Sequence, residues 1–224
     1  MILITEQGIY RKRTQPIVRW ARRVLLSCGV LTLVYVGLTL VDARAYQENA
    51  ELTLEEQIHA QEARGAAPSV LAVKEGDVLG RIEIPKIGLS VVVLEGTTSQ
   101  TLRRGVGHIE GTAFPGGTGN IGIAGHRDTY FRGLKDIRAK DEIQIQTASG
   151  ITRYEVDWIQ ITVPSDVAIV SPSTKFSLTL VTCYPFHFIG AAPERFVVHA
   201  HRAIAASELR QTGSLVDLSR LPHP

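Results

Sequence analysis

Apolar positions follow two different patterns along the chain. From Val24 to Val41 the run VLLSCGVLTLVYVGLTLV carries no charge over eighteen residues. As a helix it would be about 27 Å long, close to the hydrocarbon thickness of a bilayer. From Asp77 onward, apolar residues come in short runs, several alternating with polar ones, separated by Gly, Pro and Asp. GRIEIPKI (80–87), LSVVVLEG (89–96), residues 107–111, residues 120–126, DEIQIQT (141–147), TRYEVDWIQITV (152–163), SLTLVTC (177–183) and RFVVHAHR (195–202) predict about eight strands. Short helices are predicted near Thr98–Arg103 and Thr129–Ile137. Many closely spaced strands with few helices point to a mainly β barrel or sandwich.

Between the two patterns, residues 42–76 are rich in Ala, Glu and Gln, with Leu52, Leu54 and Ile58 as a partial apolar stripe. They are expected to form a frayed helical stalk, ended near Gly65-Ala66-Ala67-Pro68. Residues 203–224 lack a strand pattern and read as a loose tail.

Charge adds a direction to this layout. The net charge of +2 is too small to argue for nucleic acid. However, Arg11, Lys12, Arg13, Arg19, Arg22 and Arg23 all precede the apolar run, whereas Asp42, Glu48, Glu51, Glu55 and Glu56 follow it. The positive-inside rule then puts residues 1–23 in the cytoplasm, 24–41 across the membrane, and the stalk and domain outside. A cleavable signal peptide is the rival reading, since Ala43-Arg44-Ala45 fits the small-x-small cleavage pattern. The length of the apolar run and of its leader favours a retained anchor.

That topology keeps the two cysteines, Cys28 and Cys183, in different compartments. An exported domain with one unpaired thiol is unusual, because exported cysteines are mostly used in disulfides. Cys183 ends the strand SLTLVTC on the face of Ser177, Thr179 and Val181, opposite Leu178, Leu180 and Thr182. An inert, buried thiol is the plain alternative. If the next strand pairs antiparallel, Arg195 lies roughly opposite Cys183, where a guanidinium can stabilise a thiolate or an oxyanion. His126 closes NIGIAGH and could supply the base that a thiol nucleophile needs. His199 and His201 share a strand face and could bind a metal, but the sequence places no third ligand beside them.

TLVTC (179–183), the later Arg195 and the earlier Gly125-His126 together resemble the sortase signature, and TLVTCYPF with APERFVV resembles the class D branch. The resemblance spans roughly residues 77–202 plus the anchor and stalk. It implies a closed eight-stranded barrel, with Cys183, His126 and Arg195 catalytic; no cofactor and no metal ligand is assigned from the sequence, and calcium dependence stays open. The implied reaction cleaves a Leu-Pro-x-Thr-type sorting signal after Thr through a thioacyl-enzyme. The exported protein is then transferred to an amine acceptor of the cell envelope. His126 would exchange protons with the leaving and incoming amines, and Arg195 would hold the oxyanion or orient the peptide. Family members dock the signal at the loop corresponding to Pro164–Phe176. Calcium activation, known in part of the family, would need clustered carboxylates, for which Glu110, Asp128 and Asp136 are scattered candidates. A thiol peptidase using water, or a non-catalytic tethered β-domain, are the competing readings.

Overall fold

The computed structural model describes residues 7–64, 73–188 and 190–203. The start of the basic leader, the expected break at Gly65–Pro68 and the tail from Ile204 lie outside these residues. The chain divides into two compact units, Met1–Tyr46 and Gln47–Pro224.

A single long helix, α1 (Gln7–Arg64), contributes to both. In the first unit it carries the apolar run. One stretch within Val18–His59 has a mean hydropathy of 2.3 over eighteen residues, which makes the helix a membrane-span candidate by length and composition. Side chains such as Leu25, Leu31 and Leu33 are exposed, as lipid-facing residues would be.

The second unit is a closed barrel of eight strands in the order β1-β2-β3-β4-β7-β8-β6-β5. The strands are β1 (Val78–Ile84), β2 (Leu89–Glu95), β3 (Val106–His108), β4 (Asn120–Gly125), β5 (Glu142–Thr147), β6 (Gly150–Thr162), β7 (Ser177–Tyr184) and β8 (Glu194–Arg202). A short helix, α2 (Ser99–Arg104), crosses between β2 and β3, which are parallel; Thr98 caps it by accepting a bond from the Thr101 amide. A 3-10 turn over Tyr130–Asp136 occupies the second predicted helical region. The sequence left barrel and sandwich open, and closure comes from β1 pairing with β5 as well as with β2.

Side-chain alternation separates inside from outside. Ile82, Ile84, Val91, Val93, Ile121, Ile123, Ile143, Ile145, Leu178, Leu180, Val198 and Ala200 fill the interior. Their neighbours on each strand face outward. On β2, however, both sets are buried: Val92 and Leu94 are fully covered although they point away from that core.

The turn at Gly105 covers part of this face, where an added Cβ would lie 3.1 Å from Val92 Cγ2 and 3.4 Å from Leu94 Cδ1, and α1 contributes the rest. Gln47, Ala50, Glu51 and Leu54 recur at helical spacing on one face. Gln47 accepts a bond from the Val92 amide at 3.3 Å and donates to the Arg104 carbonyl. Glu51 pairs with Arg81 at 3.0 Å. Ala50 and Leu54 retain only 4% and 2% of their exposure. Residues 47–54 of the expected stalk therefore lie along the barrel. Leu54→Ala should lower stability by about 2–3 kcal/mol, a fall in Tm of roughly 5–10 °C for the full chain in detergent. An unchanged Tm would mean that the helix does not dock.

Candidate active site

The predicted residues meet on the outer face of three adjacent strands. β7 pairs antiparallel with β8, and Cys183 lies directly opposite Arg195. β7 also pairs parallel with β4, ending at Gly125 opposite Thr182. Cys183 is the next residue of β7, and His126 is the first residue after β4. Neighbouring strands run about 4.8 Å apart, so Cys183 is flanked by Arg195 on β8 and, on the other side, by the end of β4 that leads into His126. Cys183, His126 and Arg195 are all partly accessible.

Local contacts fix each position. Thr182, on the inward face, donates its hydroxyl to the Gly125 carbonyl at 2.7 Å, locking the ends of β4 and β7 together. The Phe131 amide donates to the His126 carbonyl at 3.1 Å, holding the histidine backbone at the start of the 3-10 turn. Tyr184, Phe186 and Phe196 form a ring cluster behind Cys183 and Arg195, with Phe186 and Phe196 centroids 5.1 Å apart. Arg195 Nη1 donates to the carbonyls of Ala192 (3.3 Å) and Glu194 (2.9 Å). Among the described residues its Nε and Nη2 have no hydrogen-bond partner, nor does the His126 ring. Those donors, and that ring, are available to a bound molecule.

Two features escaped the sequence reading. Arg127, beside His126, reaches across to the β7–β8 loop and donates to the carbonyls of Phe188 (2.7 Å) and Gly190 (3.0 Å), with its guanidinium 5.9 Å from the Phe188 ring. Its acceptors are backbone groups, which leave no mark in a sequence. Asn120, at the head of β4, is buried and bonded on all sides. A polar residue on the His126 face of an otherwise apolar strand was the signal available.

Other histidines are engaged elsewhere. His108 is buried between Glu95, 2.7 Å from Nδ1, and the Ala113 carbonyl, 3.0 Å from Nε2. His199 and His201 share the Asp157 carboxylate, at 3.0 and 2.6 Å from their Nδ1 atoms. Asp157 is the neighbour that the sequence did not place there. Among the described residues no group of three or more His, Cys, Asp or Glu side chains is arranged to hold a metal, Glu110, Asp128 and Asp136 included.

A set such as Cys183, His126 and Arg195 can do nucleophilic acyl chemistry: a thiol, an imidazole at the end of the adjacent strand and a guanidinium with free donors, all partly accessible. A family model described as the sortase domain matches residues 82–203. Sortase D of Bacillus subtilis (strain 168) is 32% identical over 191 residues, covering 80% of this chain and 95% of that relative. A solved Sortase D5 transpeptidase from Clostridium perfringens is 31% identical with a TM-score of 0.59, covering 72% of this chain and 98% of its own. Sortase C of Clostridium perfringens, solved with the C-terminal cell wall sorting motif, is 27% identical with a TM-score of 0.56, over 73% and 90% of the respective chains.

The strand end before His126 is tightly packed. A Cβ on Gly125 would lie 2.6 Å from Cδ2 of the fully buried Phe131 ring. Gly125→Ala should therefore cost about 1–3 kcal/mol through overpacking, read as a lower Tm. A variant as stable as the parent would show that the β4 end can shift.

Proposed function

This chain belongs to the sortase family, and from that premise we propose that it is a membrane-anchored cysteine transpeptidase acting on a Leu-Pro-x-Thr-type sorting signal. The observation that supports the reading is the β4-β7-β8 register, which sets Cys183 opposite Arg195 and next to the β4 end that leads into His126. The neighbouring β6–β7 segment offers exposed apolar side chains, Val163 and Val167, suited to a Leu-Pro peptide.

In this reading the Cys183 thiolate attacks the threonine carbonyl carbon. A C–S bond forms and the carbonyl π electrons move to oxygen. Arg195 donates to that oxyanion with the N–H groups not held by the loop carbonyls. Collapse breaks the C–N bond to the next residue, whose amine leaves with a proton from His126. A thioacyl-enzyme remains. An amine of the cell envelope attacks it, His126 takes its proton, and Cys183 is released as the new amide forms. A retained span with residues 1–23 in the cytoplasm would hold this chemistry at the outer membrane surface, where exported proteins emerge.

Incubation with a Leu-Pro-x-Thr peptide extended by one residue, with and without an amine, tests the reading. The wild type should yield an amine-joined product, and Cys183→Ala should yield none. Exclusive formation of the free acid, even with amine present, would make the chain a peptidase instead. Arg195→Lys should lose roughly 100-fold in acylation rate, because an ammonium lacks the planar, fixed donors of guanidinium. Wild-type acylation by that variant would remove the oxyanion role.

The anchor has its own check. Membrane fractions should retain a full-length chain. A soluble species beginning near Tyr46 would establish cleavage instead.

A further inference from the structure

The β6–β7 segment (163–176) covers part of the outer face on which the site lies. It leaves β6 after Thr162, which pairs with Arg195, and enters β7 at Ser177. It contains a single 3-10 turn, Val167–Val170, with no buried residue of its own. Most of its other hydrogen bonds are local or at its ends: Thr162 to Asp166 (2.7 Å), Ser171 to Ala168 (3.0 Å), and Arg202 to Phe176 (3.0 Å). So few contacts leave a thirteen- to fourteen-residue segment short of the apolar burial that orders a loop.

Its middle is held by one side chain. Among the described residues, the hydrogen bonds from the barrel to that middle come from Asn120 Nδ2, which donates to the carbonyls of Ile169 and Ser171, both at 3.4 Å. On its other side the amide oxygen accepts from the Thr179 hydroxyl at 2.8 Å and from the Ser177 hydroxyl at 3.2 Å. The loop carbonyls can only accept and so require the NH2 end of the amide, while the hydroxyls, which can donate or accept, adapt to its oxygen. Asn120, Ser177 and Thr179 are buried, the last completely, so water does not compete for these bonds and an unmet donor would be costly. Asn120 also starts the strand that ends beside His126, on the same face. One strand thus carries both the support of the loop and the imidazole.

We propose that Asn120 is a positioning residue that sets the β6–β7 segment in the conformation that receives the sorting signal. This rests on the transpeptidase reading above and deepens it. Asn120 touches no reacting atom; it acts through the loop, and its loss should weaken peptide binding more than chemistry.

Asn120→Asp is the direct test. It keeps the oxygen that accepts from Ser177 and Thr179, removes both donors to the loop, and sets an oxygen against two carbonyls. Amide exchange across 164–176 should accelerate, KM for the signal peptide should rise about ten-fold, and kcat should stay within about two-fold. Thr179→Val keeps the branched shape but releases the amide, and should give the same pattern with a roughly three-fold change in KM. It carries the test if Asn120→Asp does not fold. Wild-type exchange across 164–176 in the folded variants would overturn the proposal, and so would a fall in kcat at constant KM. Failure of the wild type to acylate on any such peptide would sink the transpeptidase reading instead, while the exchange result would still report whether Asn120 orders the loop.

Discussion

The hydrogen-bonded ladder of β7, shared with β4 on one side and with β8 on the other, fixes the geometry on which the site depends. Cys183 has no neighbour in sequence that could serve its chemistry. Its companions come from strands 57 residues earlier and 12 residues later, and only the pairing brings them alongside. Because side chains alternate along a strand, a slip of one residue in either ladder would turn a partner to the opposite face. The interior residues Ile121, Ile123, Leu178, Leu180, Val198 and Ala200 make such a slip prohibitive, since each would move from core to solvent. The apolar core thereby specifies the alignment of polar groups on the outside.

Around that ladder, the loops are tied by backbone carbonyls more than by side-chain pairs. Arg127 holds the β7–β8 loop at Phe188 and Gly190, Arg195 holds its end at Ala192 and the start of β8 at Glu194, and Asn120 holds the β6–β7 segment at Ile169 and Ser171. Each is a cationic or amide donor reaching carbonyls that would otherwise lack partners. Arg195 then serves two demands at once: one nitrogen shapes the loop, and the others remain for a ligand.

Much of the barrel was legible because alternation is a direct consequence of burying one strand face. All eight strand regions and both short helical regions fall where the pattern put them. β2 is instructive, since SVVVL does not alternate; both of its faces are buried, one by the core and one by α1 together with the turn at Gly105. Within residues 42–76, expected as a helical stalk, the docking of residues 47–54 was not legible because that face is weakly apolar. Leu54 is buried, but Leu52, which seemed part of the same stripe, is exposed. Strand order was not readable, because nothing local marks β4 and β7 as parallel neighbours. The opposition of Cys183 and Arg195 was within reach, since a single connection separates their strands. The adjacency of His126 was supplied by family resemblance and not by spacing.

Trapping the covalent intermediate tests the central claim most directly. The wild-type chain would be mixed with a Leu-Pro-x-Thr peptide extended by one residue, without amine, quenched in acid and read by intact mass and peptide mapping. The account predicts a thioester adduct equal to the peptide through Thr less one water, located on Cys183 and released by hydroxylamine. Turnover of the peptide with no adduct on Cys183, or with an adduct on another residue, would contradict it.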